Sequence, residues 1–411
     1  MNNLVGDISS AARALPSLDG EKIFIQKGKG AHVWDTNGKR YIDTALGFGT
    51  LVIGHAHEEL TAAVIPALQA SPTPAWPHLL EQQAAAALCA HTRDLSKAIF
   101  CTTGSEAVHL ACRAAKAHTG KTTIAKIAAG YDGWFDDVTF GNAATQEALF
   151  TDQRPNKDAI TLLRYNDFDD VEKLFSENSD IAAILVEPLL ANAACIQPLP
   201  GYLEHLKQVA HKHGALVIAD EVATGFRLHA GLSSHAQEFY PDIAAIGKSM
   251  GGGIAVSAVV STPEIMEGFE TGKVVRAGTF SGNPVACAAV IATMAILDKS
   301  DYPALLERGE RLKKSIVKSF ADNGIAVSTA GYGNLFGIWP AAHSSSTYPE
   351  AAKIFNAEFS MALHVELRKA GVLITPSSLG RLYLSFEHDD AVIADMEQAF
   401  ALAAKAIAKA L

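Results

Sequence analysis

Lys248 follows directly on the apolar run Ile243-Ala244-Ala245-Ile246 and Gly247, and three glycines, Gly251, Gly252 and Gly253, come just after it. At the C-terminal edge of a buried strand an amine loses hydration, which lowers its proton affinity and frees its lone pair for attack on a carbonyl. A lysine in that state can hold a carbonyl cofactor as an imine, a Schiff base. Glycines beside it let the backbone turn sharply and come close to a planar ring. The same dipeptide also suits an exposed loop, so its meaning depends on what faces it.

The first partner is Asp220, which ends the apolar run Ala215-Leu216-Val217-Ile218-Ala219. Ligands of open α/β sheets bind beyond the carboxyl ends of the strands, so Asp220 and Lys248 reach one crevice if their strands share a sheet. A carboxylate there, opposite a protonated ring nitrogen, keeps pyridoxal phosphate electron-withdrawing. The alternative use of Asp220 is to cap a helix. Thr102-Thr103-Gly104-Ser105-Glu106 follows a strand and opens a helix. Backbone N–H groups, a hydroxyl and the positive dipole end then converge, which is the form of a phosphate site and equally of an ordinary N-cap. In Gly130-Tyr131-Asp132-Gly133, Tyr131 can stack on a planar ring or pack in a turn. Ser10 and Arg13 read by composition as a helix turn with a solvated arginine.

These groups need a scaffold, and the chain supplies one. At 411 residues, 49% apolar and 19% charged, it buries a large core and divides into two domains. A net charge of -10 argues against nucleic acid as a partner. Cys89, Cys101, Cys112, Cys195 and Cys287 lie scattered in apolar surroundings without CxxC spacing. They read as reduced thiols of a cytoplasmic protein with no metal site. No run approaches a membrane span and the N-terminus lacks a signal-peptide core, so no membrane partner is expected.

Residues 21–46 alternate apolar and polar positions around Gly28, Gly30 and Asn37-Gly38, the pattern of a small antiparallel sheet. Short apolar strands at 97–101, 123–127, 159–164, 181–186, 215–219 and 243–246 alternate with helices such as 202–213, which predicts a mainly parallel α/β sheet. Helices at 283–297 and 302–323 follow, then strands at 334–339, 372–374 and 382–386. A closing helix places Val392, Met396, Phe400, Ala403 and Ile407 on one apolar face.

Taken in order, the pieces resemble the class III (ω-type) pyridoxal-phosphate aminotransferases of fold type I, and among these the glutamate-1-semialdehyde 2,1-aminomutase subgroup, over about residues 10–400. The resemblance rests on Trp34-Asp35, Gly38 and Tyr41-Ile42-Asp43; Gly54-His55-Ala56-His57; Val186-Glu187-Pro188; Asp220-Glu221-Val222 through Thr224-Gly225-Phe226-Arg227; Gly247-Lys248; and Gly278-Thr279 with Gly282-Asn283-Pro284. It implies an α/β fold with a large pyridoxal-phosphate domain over 51–282, built on a mainly parallel sheet. A smaller α+β domain would combine 1–50 with 283–411. It implies that Lys248 forms the imine and shuttles the proton, and that Asp220 pairs with the ring nitrogen. Val222 and Tyr131 would cover the two ring faces, Gly104 and Ser105 would bind the phosphate, and Glu187 and Asn192 would complete the cofactor contacts, Asn192 near the phenolic oxygen. Thr279 would reach the phosphate of a neighbouring subunit, which makes the active form a homodimer. Ser10 and Arg13 match the aminomutase's Ser-x-x-Arg carboxylate site, where a planar guanidinium can bind both oxygens at once.

Departures from the family's pattern separate two reactions. The aminomutase's gating segment, rich in Gly, Pro and Ser, is replaced by Gly141 to Phe150; its late acidic residue corresponds to Gly380, followed by Arg381; and the histidine of its Tyr-His-Gly is Asp132. An aminomutase must retain its intermediate through both half-reactions, whereas a transaminase releases one product and admits another substrate. Loss of the gate favours the transaminase, and Arg381 suits a second carboxylate. The expected activity is therefore amino transfer between a carboxylate-bearing amino compound and an oxo acid or aldehyde, with the aminomutase and, further off, a racemase or epimerase as alternatives. A non-catalytic binding role would not require Lys248, Asp220 and the phosphate turn together.

Overall fold

The computed structural model describes residues 3–18, 20, 22–142, 159–354, 356–376 and 380–410. Its largest sheet has seven strands in the order Lys97–Cys101, Ser257–Ser261, Ile243–Ile246, Leu216–Glu221, Ile181–Val186, Thr123–Ile127, Ile160–Leu163. Only Ser257–Ser261 runs against its neighbours, antiparallel to both; the remaining pairs are parallel. The sequence reading contains six of these strands. The seventh, Ser257–Ser261, is missing from it because five residues after a glycine turn carry too little periodicity to read.

The apolar runs arise because both faces of the sheet are covered. All six residues of Ile181–Val186 are buried. Ile184, Val186, Val217 and Ala219 join the core on one face. Ala183, Leu185, Ile218 and Ala245 join that on the other, where the helix Gly104–Thr119 packs against the sheet through Ala107, Val108, Ala111 and Ala115. One strand breaks the rule: Thr123–Ile127 is buried at every position and carries Lys126 next to its last residue.

Ile25–Lys29, His32–Asp35 and Arg40–Asp43 form the antiparallel sheet expected near the N-terminus. Val372–Leu373, from the far end of the chain, adds to it parallel to Arg40–Asp43. A third sheet joins Ser328–Tyr332, Leu335–Trp339 and Arg381–Tyr383. The last of these begins one residue earlier than the pattern suggested and so takes in Arg381. The helices Tyr302–Ala321 and Asp390–Ala410 pack together, and Val392, Met396, Phe400, Ala403 and Ile407 are all buried between them and these smaller sheets. Among the described residues no helix is long and apolar enough to cross a membrane.

Candidate active site

Asp220 and Lys248 leave adjacent parallel strands at one edge of the sheet, with Asp220 opposite Ala245 and Glu221 opposite Ile246. Beyond Ile246, Gly247 is extended, and Lys248 opens a 3-10 turn, Lys248–Gly251, at φ 45°. Burial lowers the proton affinity of the Lys248 amine. Tyr383, Arg381, Asp220 and Glu187 supply the charges around it, Arg381 lowering the affinity further and the other three raising it. Burial also pushes Asp220 well above the ordinary carboxylate range, with Asp132 and then Glu187 adding to the shift and the Val222 N–H and Lys248 opposing it. A cationic ring nitrogen beside Asp220 would reverse that shift by direct attraction.

Val222 sits in the angle between the two loops. Its N–H donates to Asp220 Oδ1 at 2.9 Å. A Cβ on Gly104 would lie 2.8 Å from its Cγ1, and one on Gly247 would lie 3.3 Å from the same atom. At the start of Gly104–Thr119, Thr103 is the N-cap: its hydroxyl accepts the Glu106 N–H at 3.3 Å, while the Glu106 carboxylate accepts the N–H groups of Thr102 and Thr103 at 3.0 and 2.8 Å. Thr103 and Glu106 therefore do the capping, a reciprocal box. The Ser105 hydroxyl instead accepts the Trp134 N–H at 3.2 Å. Gly104 and Ser105 thus occupy the first turn of a 16-residue helix, where the dipole favours an anion.

Glu187 ties the opposite wall together. Its Oε1 accepts the Tyr131 N–H at 2.8 Å and its Oε2 the Ala191 N–H at 3.3 Å, next to Asn192. Burial and the nearby Asp132 push its carboxyl up to about 7, against the pull of the Tyr131 N–H, Arg381 and Lys248. Tyr131 is 45% exposed as a residue, and its phenol is raised by burial and by the charge of Asp220.

Arg381 Nε donates to the Tyr383 hydroxyl at 2.6 Å. Tyr383 in turn lies under the buried guanidinium of Arg227, 4.9 Å from its ring centroid. This stack brings Arg381 close enough for its charge to act on both Lys248 and Glu187. Ser10 and Arg13 are not part of the group: they flank and end the exposed turn Ala11–Arg13, which buries nothing. Thr279 is also exposed, and Asn192 is partly buried. Of the segment replacing the aminomutase gate, Gly141 and Asn142 are described, and residues 143–150 lie outside the described residues.

Sequence reasoning did not single out Lys126 or its pairing with Asp132 at 2.5 Å. The available signal was a lysine inside an otherwise apolar buried run, which demands an anionic partner.

An amine, a carboxylate on the adjacent strand, a valine and a tyrosine beside them, and a helix N-terminus opened by Gly104 suit pyridoxal phosphate. When it is bound, the carboxylate would meet the ring nitrogen, the amine the carbonyl, and the helix end the phosphate. A side chain at position 104 would crowd Val222.

Comparison with known proteins agrees with this chemistry. The sequence profile of "Aminotransferase class-III" matches residues 16–400. A glutamate-1-semialdehyde 2,1-aminomutase from Polynucleobacter necessarius subsp. necessarius (strain STIR1) is 32% identical over 95% of this chain and 93% of its own. An omega-transaminase structure from Sphaerobacter thermophilus superposes with a TM-score of 0.90 at 27% identity, over 99% of this chain and 95% of that one. A β-phenylalanine aminotransferase from Variovorax paradoxus follows at 0.87 and 26%, over 97% and 90%. Profile, relatives and fold agree that this chain is a pyridoxal-phosphate-dependent enzyme belonging to the class-III aminotransferase family.

Proposed function

We propose that the enzyme transfers an amino group between molecules, from a carboxylate-bearing amino compound to an oxo acid or aldehyde. The observation that carries this reading is Arg381. Its guanidinium is oriented by Tyr383, its charge is felt by Lys248, and a planar fork of donors suits a carboxylate held beside the reacting carbon. Pyridoxal phosphate supplies the electron sink. Lys248 holds the carbonyl and moves the proton, Asp220 keeps the ring nitrogen charged, and Val222 and Tyr131 flank the ring. Gly104 and Ser105 hold the phosphate, Glu187 fixes the Tyr131 and Ala191 turns, and Asn192 lies near the phenolic oxygen. Arg13 and Ser10 enter this scheme only as a second carboxylate site at an exposed turn.

Several features support the wider scheme. Trp76, Leu79, Val275 and Phe280 are exposed by 79, 73, 63 and 60%. The segments that carry them are joined where a ring nitrogen of His78 bonds the Gly282 carbonyl at 2.8 Å. Exposed apolar side chains on both segments beside Thr279 suit a second copy of the chain, so that Thr279 would complete the partner's phosphate site in a homodimer. The division into a cofactor domain over 51–282 and a small domain from 1–50 and 283–411 follows the boundary between the seven-stranded sheet and the smaller ones. Five unpaired cysteines, four of them buried, suit a reducing cytoplasm.

The aminomutase is the second reading, and the 32% identical relative favours it. Transaminase structures superpose at 0.90 and 0.87, an aminomutase structure from Pseudomonas aeruginosa PAO1 at 0.83 and an ornithine aminotransferase from Toxoplasma gondii at 0.82, so the fold alone does not separate the two reactions. Half-reactions with a panel of amino donors, followed by cofactor absorbance, decide between them. Amino transfer that requires both a donor and an acceptor is expected. Conversion of glutamate 1-semialdehyde to 5-aminolevulinate with neither added, faster than every two-substrate reaction in the panel, would establish the mutase instead.

A further inference from the structure

Lys126 lies in the strand Thr123–Ile127, one in from the edge of the seven-stranded sheet, with none of its surface exposed, and Asp132 is 2% exposed. The lysine Nζ is 2.5 Å from Asp132 Oδ2 and donates to the Gly130 carbonyl at 2.9 Å and to Asn142 Oδ1 at 2.7 Å. These three acceptors use the full donor capacity of an ammonium. Asn142 Nδ2 donates onward to the Gly133 carbonyl at 3.2 Å. The turn carrying Tyr131 is thus gripped from below by one buried cation, while Glu187 holds its N–H from the side.

Stability alone does not call for such a pair. Desolvating two charges costs about as much as their attraction returns, and an apolar pair of similar volume is often as stable. The location of the pair is what distinguishes it. A Cβ placed on Gly130 would be 3.3 Å from Asp132 Oδ2 and 3.5 Å from Glu187 Oε1, so both carboxylates lie against one glycine. The titratable groups facing the pair are Glu187, just beyond the adjacent strand, Asp220 one strand further on, and Cys112, Lys116 and Asp137 on the helix side; Lys248 and Arg381 act in turn on Glu187.

We propose that Lys126 and Asp132 are positioning residues for the cofactor ring. Lys126 fixes the Tyr131 turn and cancels the charge of Asp132, so that Asp220 is left as the carboxylate the ring nitrogen meets. This rests on the assignment of Lys248 and Asp220 to pyridoxal phosphate.

The test is a pH titration of the visible absorbance of the cofactor-loaded protein, alongside thermal unfolding of the cofactor-free protein. Lys126→Met removes a positive charge and is expected to raise the pKa of the lysine–cofactor linkage. Asp132→Asn leaves Lys126 uncompensated and is expected to lower it. Each shift should be on the order of one pH unit, the scale on which a nearby unit charge acts in a protein interior. The double variant should titrate close to wild type. A purely structural role predicts shifts of the same sign, or none, and either result in folded protein overturns the proposal. Should Lys126→Met fail to fold, Asp132→Asn, which keeps shape and an acceptor, decides alone: a downward shift supports the proposal and an unshifted titration overturns it. A wild-type protein without a visible cofactor band would overturn the cofactor assignment itself, a failure distinct from unshifted variants of a protein that has one.

Discussion

Lys248 carries its amine out of the sheet at φ 45°, a left-handed angle that costs a side chain with a Cβ about 1–2 kcal/mol. Buried neighbours hold it there: Ser249 is buried and its hydroxyl donates to the Gly49 carbonyl at 3.2 Å. Arg381 is the cation that shares this space. With its Nε engaged by Tyr383, its terminal nitrogens are left as the edge that would take a substrate carboxylate in two bonds. Such a contact is worth about 1.5 to 3 kcal/mol. Arg381→Ala is therefore expected to lower kcat/KM roughly ten- to a hundredfold for carboxylate donors and to leave an uncharged amine donor almost unchanged. Steady-state kinetics with a matched pair of donors checks this, and equal losses on both would remove Arg381 from substrate binding.

At the scale of elements, the site is a set of strand ends and turns fastened by carboxylates. Glu187, beyond the Ile181–Val186 strand, joins the Tyr131 and Ala191 turns. Its carboxyl is raised to about 7 in the folded state, against about 4.3 for a free glutamate. Between these values the native protein binds more protons than the unfolded chain, so stability from this group is present at low pH and is lost as pH rises through about 7. Cofactor-free protein should lose stability on the order of 2 kcal/mol from this source between about pH 5 and pH 8. Glu187→Gln should remove that component while keeping an acceptor for the Tyr131 N–H. The difference in Tm between the two proteins across this range is the measurement, and parallel profiles would mean that Glu187 is ionised throughout. His235 and His388, both buried and held down to about 4, act with the opposite sign at lower pH and cancel in the difference.

For the molecule as a whole, the seven-stranded sheet supplies Asp220, Glu187 and Lys248, and the sheet holding Arg381–Tyr383 supplies the arginine. Thr279 lies on an exposed segment beside Val275 and Phe280, where a second copy of the chain would meet it. Sedimentation over a range of concentrations should show a dimer or a larger even assembly, and dilution into monomer should release cofactor. A monomer that retains full activity and tight cofactor binding would contradict the shared site. Thr279→Ala should weaken cofactor binding roughly tenfold, the loss of one hydrogen bond to a charged group, without preventing dimer formation.

The strand ends were legible in the sequence because a parallel strand covered on both faces must be an apolar run. The polar residue at its end then marks the crevice. Lys248 after Ile246, Asp220 after Ala219 and the capping pattern at Thr103 all follow from such local rules, as does the apolar face from Val392 to Ile407. Local rules could not supply the pairings across the chain. That Ser257–Ser261 inserts between Lys97–Cys101 and Ile243–Ile246, that Arg381 comes to rest within reach of Lys248, and that Ser10 and Arg13 remain on an exposed turn depend on sheet order and loop closure. Residue spacing does not report either of these. Lys126 shows the limit most plainly: the sequence places a lysine in a buried strand, and only the folded turn from Gly130 to Asn142 brings its three oxygen partners around it.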